Sequence, residues 1–134
     1  MMGQVVRVGQ RASMRKTITE ADVVLFGCVT GDMNPLHTDD IAARDSRFGR
    51  RIAHGMLSAG LISAVLGMQM PGPGTIYIKQ TLNFRRPIFI NDTVTTTVEV
   101  KEIRADKPIA TLSTTITNQD GELVLEGESL VLLP

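Results

Sequence analysis

Asp32 and His37 are the two residues whose types and spacing point most directly to chemistry. They stand five residues apart in FGCVTGDMNPLHTDDIAA (residues 26–43), on either side of an Asn-Pro turn. A carboxyl group and an imidazole on one loop can hold a single water between them. One group removes a proton from the water while the other returns a proton to the neighbouring carbon. The pair therefore fits the addition or removal of water at an activated acyl group.

His37 is the natural base of this pair, because the unperturbed pKa of an imidazole, about 6.5, is close to neutrality. Asp32 can act as the acid only if burial keeps it protonated, since an apolar site raises the pKa of a carboxyl group. In the alternative interpretation, Asp32 caps a turn and His37 bonds to a backbone group. Asn34 is expected to hydrogen-bond within the loop and fix both side chains, or to form an ordinary Asx turn.

Gly55 is the third candidate for the site. It lies in FGRRIAHGM (residues 48–56), which leads into an apolar helix. A backbone N–H in the first turn of a helix has no intrahelical acceptor and sits at the positive end of the helix dipole. Directed at a thioester oxygen, it would stabilise the enolate-like charge that develops when water adds to the β-carbon. The alternative is a tight turn into the helix, oriented by His54.

Three helices are predicted to position these residues. Thr19 and Asp22 resemble a capping box for a helix over residues 21–30, and Gly31 stands where a helix C-terminus belongs. Pro35 makes residues 31–36 an irregular loop. A helix capped by Asp39 or Asp40 follows, through about residue 47. The third helix, over residues 54–68, is apolar nearly all round and is predicted to be buried.

The second half of the chain is predicted to be a β-sheet. Segments 75–84, 93–103, 109–118 and 122–132 are rich in Val, Ile, Thr and Leu, and turn-forming residues separate them. Residues 5–8 and 14–19 suggest an N-terminal strand pair or an extended arm. The implied fold class is α+β, a curved antiparallel sheet wrapped around one apolar helix. With 4% aromatic residues and no Trp, the core must be aliphatic and rich in Met.

The bulk composition limits the possible partners. At 134 residues the chain is most simply one domain, residues 1–134. Lys plus Arg and Asp plus Glu number 14 each, which argues against broad binding to nucleic acid or to an anionic membrane. Cys28 is the single cysteine, which fits a reducing cytosol, and it is expected to pack in the core. Residues 4–19 show no signal-peptide pattern, and the longest apolar stretch, 56–70, is too short to span a membrane. We therefore expect a cytoplasmic protein.

The motif built on Asp32 and His37 resembles the complete hydratase-2 motif of the MaoC-like hot-dog family. The matching residues are Phe26, Val29-Thr30-Gly31-Asp32, Asn34-Pro35-Leu36-His37 and Ala43. The segments FGRRIAHGMLSAGLIS and PGPGTIYIKQTLNFRRP also resemble this family, nearly end to end. The chain has about the size of the short, single-domain (R)-specific enoyl-CoA hydratases, which supply (R)-3-hydroxyacyl-CoA from β-oxidation, often for polyhydroxyalkanoate synthesis.

The resemblance implies a hot-dog fold with residues 55–68 as its central helix. Asp32 and His37 would be the catalytic pair, and the Gly55 N–H would polarise the thioester. The implied reaction is reversible syn hydration of trans-2-enoyl-CoA to (R)-3-hydroxyacyl-CoA, with no metal and no cofactor. The implied assembly is a homodimer whose sheets join edge to edge, with coenzyme A entering near the subunit boundary.

Further residues are candidates for contacting the substrate. Ser63 lies eight residues after Gly55 and near the same helix face, but it can equally bond its own i−4 carbonyl. Leu57 and Leu66 are candidates for lining the acyl tunnel. Arg85 and Arg86, with Lys79 nearby, either meet the coenzyme A phosphates or form a solvated strand end. The acyl chain length is beyond the reach of the sequence.

Two other functions compete with the hydratase. A 3-hydroxyacyl-[acyl-carrier-protein] dehydratase would keep the chemistry and change the carrier. A non-catalytic acyl-CoA-binding subunit of the same fold would not need both Asp32 and His37. A thioesterase fits less well, since hydrolysis needs water aimed at the carbonyl carbon.

Overall fold

The computed structural model describes residues 5–134, so Gln4, where the alternating N-terminal stretch begins, lies outside the described residues. Within these residues, six strands and four helices follow one another. They are β1 (Arg11–Thr17), α1 (Glu20–Thr30), α2 (Pro35–Thr38), α3 (Asp40–Arg44), α4 (Gly55–Met68), β2 (Ile76–Gln80), β3 (Asn83–Phe84), β4 (Thr93–Ile103), β5 (Ile109–Thr117) and β6 (Leu123–Leu132).

The strands form one antiparallel sheet in the order β1-β4-β5-β6-β2, and β3 also pairs with β6. The long strands β4, β5 and β6 are consecutive neighbours, as the predicted meander requires. β4 has the predicted bounds, and β5 and β6 differ from prediction by one residue at one end. The α+β fold class is therefore confirmed.

The core lies between this sheet and α4. Residues alternate between buried and half-buried along β4 and β5, because successive side chains of a strand point to opposite faces. The helix rests against β1 and β4. The buried side chains that α4 adds to the core are Leu57, Leu61, Ile62, Val65 and Leu66. The core is aliphatic, as predicted, but the prediction that it is rich in Met is wrong: Met70 is the one buried Met among the described core residues, whereas Met33, Met56 and Met68 are exposed.

One face of α4 is not covered by the described chain. Met56 is 58% exposed and Met68 is 75% exposed, and Gly60 and Ser63 are exposed between them. The prediction of a helix buried on all sides is therefore wrong for the single chain. A helix that is apolar nearly all round cannot indicate which face its own sheet covers.

Helix α1 has the predicted caps. The Asp22 N–H donates to Thr19 Oγ1 (3.1 Å), and the Thr19 N–H donates to Asp22 Oδ2 (2.9 Å). Gly31 ends the helix at φ +82°, and its N–H donates to the Gly27 carbonyl. The prediction that Cys28 packs in the core is wrong, because only the opposite face of α1 is buried and Cys28 is exposed.

The loop after α1 is shorter than predicted. Helix α2 begins at Pro35, and the Asn34 side chain caps it by accepting the Leu36 N–H (3.0 Å). Proline suits the first position of a helix because its missing N–H would have no partner there. Asp39 caps α3 as predicted, but α3 ends at Arg44 instead of near residue 47.

The predicted strand over residues 75–84 is broken into β2 and β3. Between them, the Thr81 N–H donates to the Glu128 carbonyl (2.9 Å), and the Glu128 N–H donates to Thr81 Oγ1 (3.0 Å). The chain crosses Gly127 so closely that a Cβ there would lie 1.8 Å from the Thr81 oxygen. At the N-terminus one strand, β1, forms in place of a pair, and residues 5–10 lead into it without strand structure.

The longest helix among the described residues, α4, has 14 residues. No helix among residues 5–134 is long and apolar enough to cross a membrane.

Candidate active site

His37 is fixed on α2 by two contacts with the segment that precedes α4. The side chain is 8% exposed, and its Nδ1 lies 2.8 Å from the Ile52 carbonyl oxygen. Because a carbonyl can only accept, Nδ1 carries the hydrogen and Nε2 of the neutral ring keeps its lone pair. Arg51 Nε donates to the His37 carbonyl (2.8 Å), which holds the backbone of the residue.

Arg51 is a site residue that sequence reasoning missed. Its side chain is 10% exposed and forms ion pairs with Glu20 (2.7 Å) and Asp40 (3.3 Å). The hydrogen bond that Arg51 donates to the Glu20 carboxylate is the main reason why the pKa of Arg51 lies above its ordinary value; desolvation opposes the shift and Asp40 adds to it. Arg51 therefore ties α1 and α3 to the backbone of His37. The Arg pair in FGRRIAHGM is the sequence feature that could have pointed to Arg51, but it does not indicate which residues Arg51 contacts.

Asp32 lies directly after the left-handed Gly31, where α1 has ended. Its Oδ1 accepts the Asn34 N–H (3.2 Å). Asn34 in turn uses its side chain to cap α2, so it orders the loop as predicted. Asp32 is exposed in the described chain, so this chain does not supply the burial on which an acid role for Asp32 depends.

Asp32, His37 and His54 converge at one place. A carboxylate oxygen of Asp32 and one ring nitrogen of each histidine all lie within 4.8 Å of one another. The His37 and His54 rings are stacked, with centroids 3.9 Å apart and planes inclined by 29°. Two imidazoles bind one ion when their planes meet at that ion, about 2.0–2.1 Å from each nitrogen. Nearly parallel rings do not meet at that distance, so the arrangement suits proton transfer better than metal binding.

Gly55 is the first residue of α4 and is exposed. Its N–H has no acceptor among residues 5–134, as expected at a helix N-terminus. A Cβ at this position would lie 2.8 Å from Phe84 Cε1. The Phe84 ring, 53% exposed, therefore rests on the glycine. The absence of a side chain leaves the N–H open to a close approach.

An apolar cavity of about 310 Å³ opens beside Gly55. Its lining is mostly apolar and also includes Arg85 and Arg86. Both arginines are already paired, Arg85 with Glu126 (2.7 Å) and Arg86 with Glu122 (3.2 Å). The residues that line the cavity next to the site include Phe48, Ile52, His54, Gly55, Phe84 and Pro87.

The remaining predicted substrate contacts lie elsewhere in the single chain. Ser63 is exposed and borders a separate hollow between α4 and β2. Lys79 borders the same hollow. Leu57 and Leu66 belong to the core, at 9% and 2% exposure, and neither lines the cavity beside Gly55. Of the predicted residues, the structure thus brings together Asp32 and His37, and Asn34 orders their loop. Gly55 directly follows His54, whose side chain joins that pair, and the cavity beside Gly55 is not lined by Asp32 or His37.

The fold and the site together define an α+β protein that carries a carboxyl group and an imidazole beside the N-terminus of its central helix. Residues 4–120 match the MaoC like domain. The chain belongs to the MaoC like domain family, as the resemblance indicated.

Known proteins of this kind are similar over the whole chain. The (R)-specific enoyl-CoA hydratase of Aeromonas caviae is 48% identical over 134 residues, which is 100% of both chains. The enzyme of that name from Rhodospirillum rubrum is 49% identical, over 96% of this chain and 89% of the relative. A solved structure of an (R)-hydratase from A. caviae involved in PHA biosynthesis matches with a TM-score of 0.95 at 48% identity, and the match covers 98% of this chain and 99% of that one. The expected hot-dog fold is confirmed.

Proposed function

We propose that this protein is an (R)-specific enoyl-CoA hydratase, which adds water reversibly to trans-2-enoyl-CoA and forms (R)-3-hydroxyacyl-CoA. The observation that carries the proposal is the convergence of the Asp32 and His37 side chains with that of His54, the residue directly before Gly55. Full-length relatives with this name support the proposal.

His37 acts as the base through Nε2. The hydrogen bond from Nδ1 to the Ile52 carbonyl leaves the lone pair on Nε2, so this nitrogen can remove a proton from water. As the water oxygen attacks C3, the proton passes to Nε2 and the electron pair of the C2–C3 double bond moves toward the thioester carbonyl. The resulting imidazolium then has a proton to return.

Asp32 binds the water and stabilises the positive charge of the His37 imidazolium. Since syn addition places the hydroxyl group and the hydrogen on one face of the substrate, the His37 imidazolium can return its proton to C2 from that face. Atoms balance, because water supplies the hydroxyl group at C3 and the hydrogen at C2. The acid role predicted for Asp32 depends on burial, and Asp32 is exposed in the described chain, so both proton transfers are assigned to His37.

Gly55 stabilises the oxygen of the thioester. Charge develops there as an enolate when water adds to C3, and a free N–H at the positive end of a helix dipole is suited to it. The helix has 14 residues, and Gly55 is its first. We place the apolar part of the substrate in the cavity beside Gly55, which is lined mainly by apolar groups.

We also propose a homodimer that forms through β2 and the open face of α4. β2 is an edge strand with exposed apolar side chains, Ile76 at 56% and Ile78 at 50%. The opposite edge, β1, carries Arg11 and Arg15, which protect an edge from pairing. Small residues of α4, Gly60 among them, border the same hollow as β2 and allow a close approach. A second copy that pairs β2 with β2 would cover both surfaces.

The free Cys28 is exposed, and a thiol at the surface persists in a reducing compartment. We propose a cytoplasmic location on this basis, with a coenzyme A thioester as the substrate and no nucleic acid or membrane partner.

The direct test mixes the purified protein with crotonyl-CoA and follows the loss of the conjugated enoyl-thioester absorbance. We expect turnover, with (R)-3-hydroxybutyryl-CoA as the product on chiral analysis. Release of free coenzyme A would indicate a thioesterase instead. Binding without turnover would support a non-catalytic subunit, and turnover confined to crotonyl-acyl-carrier protein would support the carrier-protein dehydratase.

A further inference from the structure

His54 lies at the centre of the contacts around the catalytic pair. It is the N-cap residue of α4, yet its side chain makes no capping hydrogen bond. At 2% exposure it is buried. One face of its ring is stacked on His37, and Phe26 lies 4.8 Å away, centroid to centroid, at an angle of 51°. The side chain is therefore held between α1 and α2 and does not serve the helix that it precedes.

The hydrogen bonds of His54 define one tautomer. Nε2 lies 2.8 Å from the backbone carbonyl oxygen of Asp32, so Nε2 carries the hydrogen. Nδ1 is buried and has no partner among residues 5–134. A proton on Nδ1 would be a buried donor without an acceptor, which is unfavourable. The ring is thus neutral, with its hydrogen on Nε2.

We propose that His54 is a positioning residue for hydration, which sets Asp32 and His37 relative to each other while itself staying neutral. This inference rests on the proposed function of the Asp32 and His37 pair. His54 also lines the cavity beside Gly55, but the proposed reaction assigns it no proton transfer.

Asp32 is held by His54 through its backbone. The carbonyl group accepts the Nε2–H of His54, while the carboxylate accepts the Asn34 N–H on the other side of the residue. Gly27 lets the Asp32 backbone lie close to α1. A Cβ at position 27 would lie 3.2 Å from the Asp32 carbonyl oxygen and 2.9 Å from Met33 Sδ. Because the backbone carbonyl and the side chain of Asp32 each accept a hydrogen bond, the carboxylate keeps one orientation.

His37 is held by His54 through its ring. The Ile52 carbonyl fixes Nδ1, and the stacked His54 ring limits rotation about that bond. The electron-rich face of a neutral aromatic ring also favours a cation stacked on it. The imidazolium that forms on His37 during hydration is such a cation. A charged His54 in the same place would repel it.

Three variants separate the two contacts. His54→Phe keeps a stacked ring and removes the hydrogen bond to Asp32. His54→Gln keeps an N–H donor and removes the ring, and His54→Ala removes both. Crotonyl-CoA kinetics should show kcat reduced about 10-fold or more in each single-contact variant, because small misplacements of catalytic groups are costly. KM should stay within about threefold of the parent, since His54 is 2% exposed and offers the substrate little surface. Each rate is normalised to folded protein by circular dichroism.

Nitrogen NMR of the imidazoles supplies a test that does not depend on activity. The chain contains two histidines, so His54→Phe identifies the signals of His37 by elimination. In the parent we expect His54 with hydrogen on Nε2 and His37 with hydrogen on Nδ1. In His54→Gln we expect His37 to populate both tautomers, which a merely structural role for His54 would not produce.

Two outcomes would overturn the proposal. They are parent-like kcat in His54→Phe or His54→Gln, and a His54 signal with hydrogen on Nδ1. An inactive parent with the expected tautomers would instead reject the proposed hydratase function and leave the geometry of His54 intact. If His54→Phe does not fold, the parent spectrum and His54→Gln still decide the matter.

Discussion

The hydrogen bond from His37 to the Ile52 carbonyl sets the chemistry of the site at the scale of single residues. An imidazole that donates through Nδ1 must accept through Nε2, and a ring nitrogen of His37 lies within 4.8 Å of an Asp32 carboxylate oxygen. The sequence also allowed a purely structural interpretation, in which His37 bonds to a backbone group. The structure contains that bond. In the structure a backbone bond and a catalytic role are compatible, because each uses a different ring nitrogen.

Gly55→Ala tests the donor that we assign to the thioester oxygen. The new Cβ would lie 2.8 Å from the Phe84 ring, which is exposed and can move aside, so we expect a folded protein. The methyl group would obstruct the approach to the Gly55 N–H. We expect kcat/KM for crotonyl-CoA to fall about 10- to 100-fold, somewhat less than the loss of a whole oxyanion donor.

Gly67→Ala is the matched control for that change. It is the same substitution in the same helix, and a Cβ there meets nothing within 4 Å. It should keep parent activity and gain up to about 1 kcal/mol of stability from its higher helix propensity. Parent-like activity of Gly55→Ala would mean that the reaction does not use this N–H.

At the scale of elements, the capping box of α1 holds the start of the segment that leads to Asp32. Asp22 accepts hydrogen bonds from Lys16 Nζ (2.8 Å) and from the Thr19 N–H. These bonds, the one from Lys16 first, lower the pKa of Asp22 below its ordinary value of 3.8. The stabilising effect is therefore present above the pKa of the unfolded chain and is lost as pH falls through the lower pKa of the folded state.

Asp22→Ala should reduce the free energy of unfolding by about 1 kcal/mol at neutral pH, which is typical of a lost cap. The difference from the parent should shrink as pH falls below about 4, since the parent then loses the same interaction. Urea denaturation followed by circular dichroism at several pH values measures both effects. Asp45→Ala is the control, because this exposed carboxylate is paired only with Arg44 within residues 5–134. A deficit that stays constant down to low pH would contradict this account.

Local signals predicted the elements whose causes are local. The capping box and Gly31 predicted α1, and Asp39 predicted the start of α3. The alternation of apolar and polar residues predicted β4. The break between β2 and β3 was not predictable, because it depends on Thr81 crossing Gly127 some distance along the chain. The contact of His54 with Asp32 has the same origin. It joins residues on separate elements, and the sequence shows only that both are present.

At the scale of the whole molecule, the open face of α4 and the β2 edge belong to one surface. The apolar composition of α4 predicted burial, and the single chain provides it on one side only. The sequence could not assign the other side to a partner, since an apolar helix looks the same whichever protein covers it. The exposure of Cys28 escaped prediction for a related reason, because α1 has apolar residues on both faces.

Ile78→Lys tests the proposed dimer. The side chain is 50% exposed on the β2 edge, and a charge on an edge strand opposes pairing. We expect light scattering after size exclusion to show a dimer for the parent and a monomer for this variant. Ile41→Lys, the same change at a 63% exposed position of α3, should remain dimeric. A monomeric parent, or a dimer unaffected by Ile78→Lys, would reject this interface.

The most direct test of the central claim is a double-mutant cycle on Asp32 and His37 with crotonyl-CoA. Asp32→Asn keeps an acceptor for the Asn34 N–H, and His37→Asn keeps a donor for the Ile52 carbonyl, so both variants should fold. Asp45→Asn controls for loss of a surface charge and should keep parent activity.

Because the two groups act on one water, each single variant should lose about 10²- to 10⁴-fold in kcat. The double variant should lose little more than the worse single variant, since residues that act as a unit are not additive. Full activity in either single variant, or losses that multiply in the double variant, would contradict a shared water between Asp32 and His37.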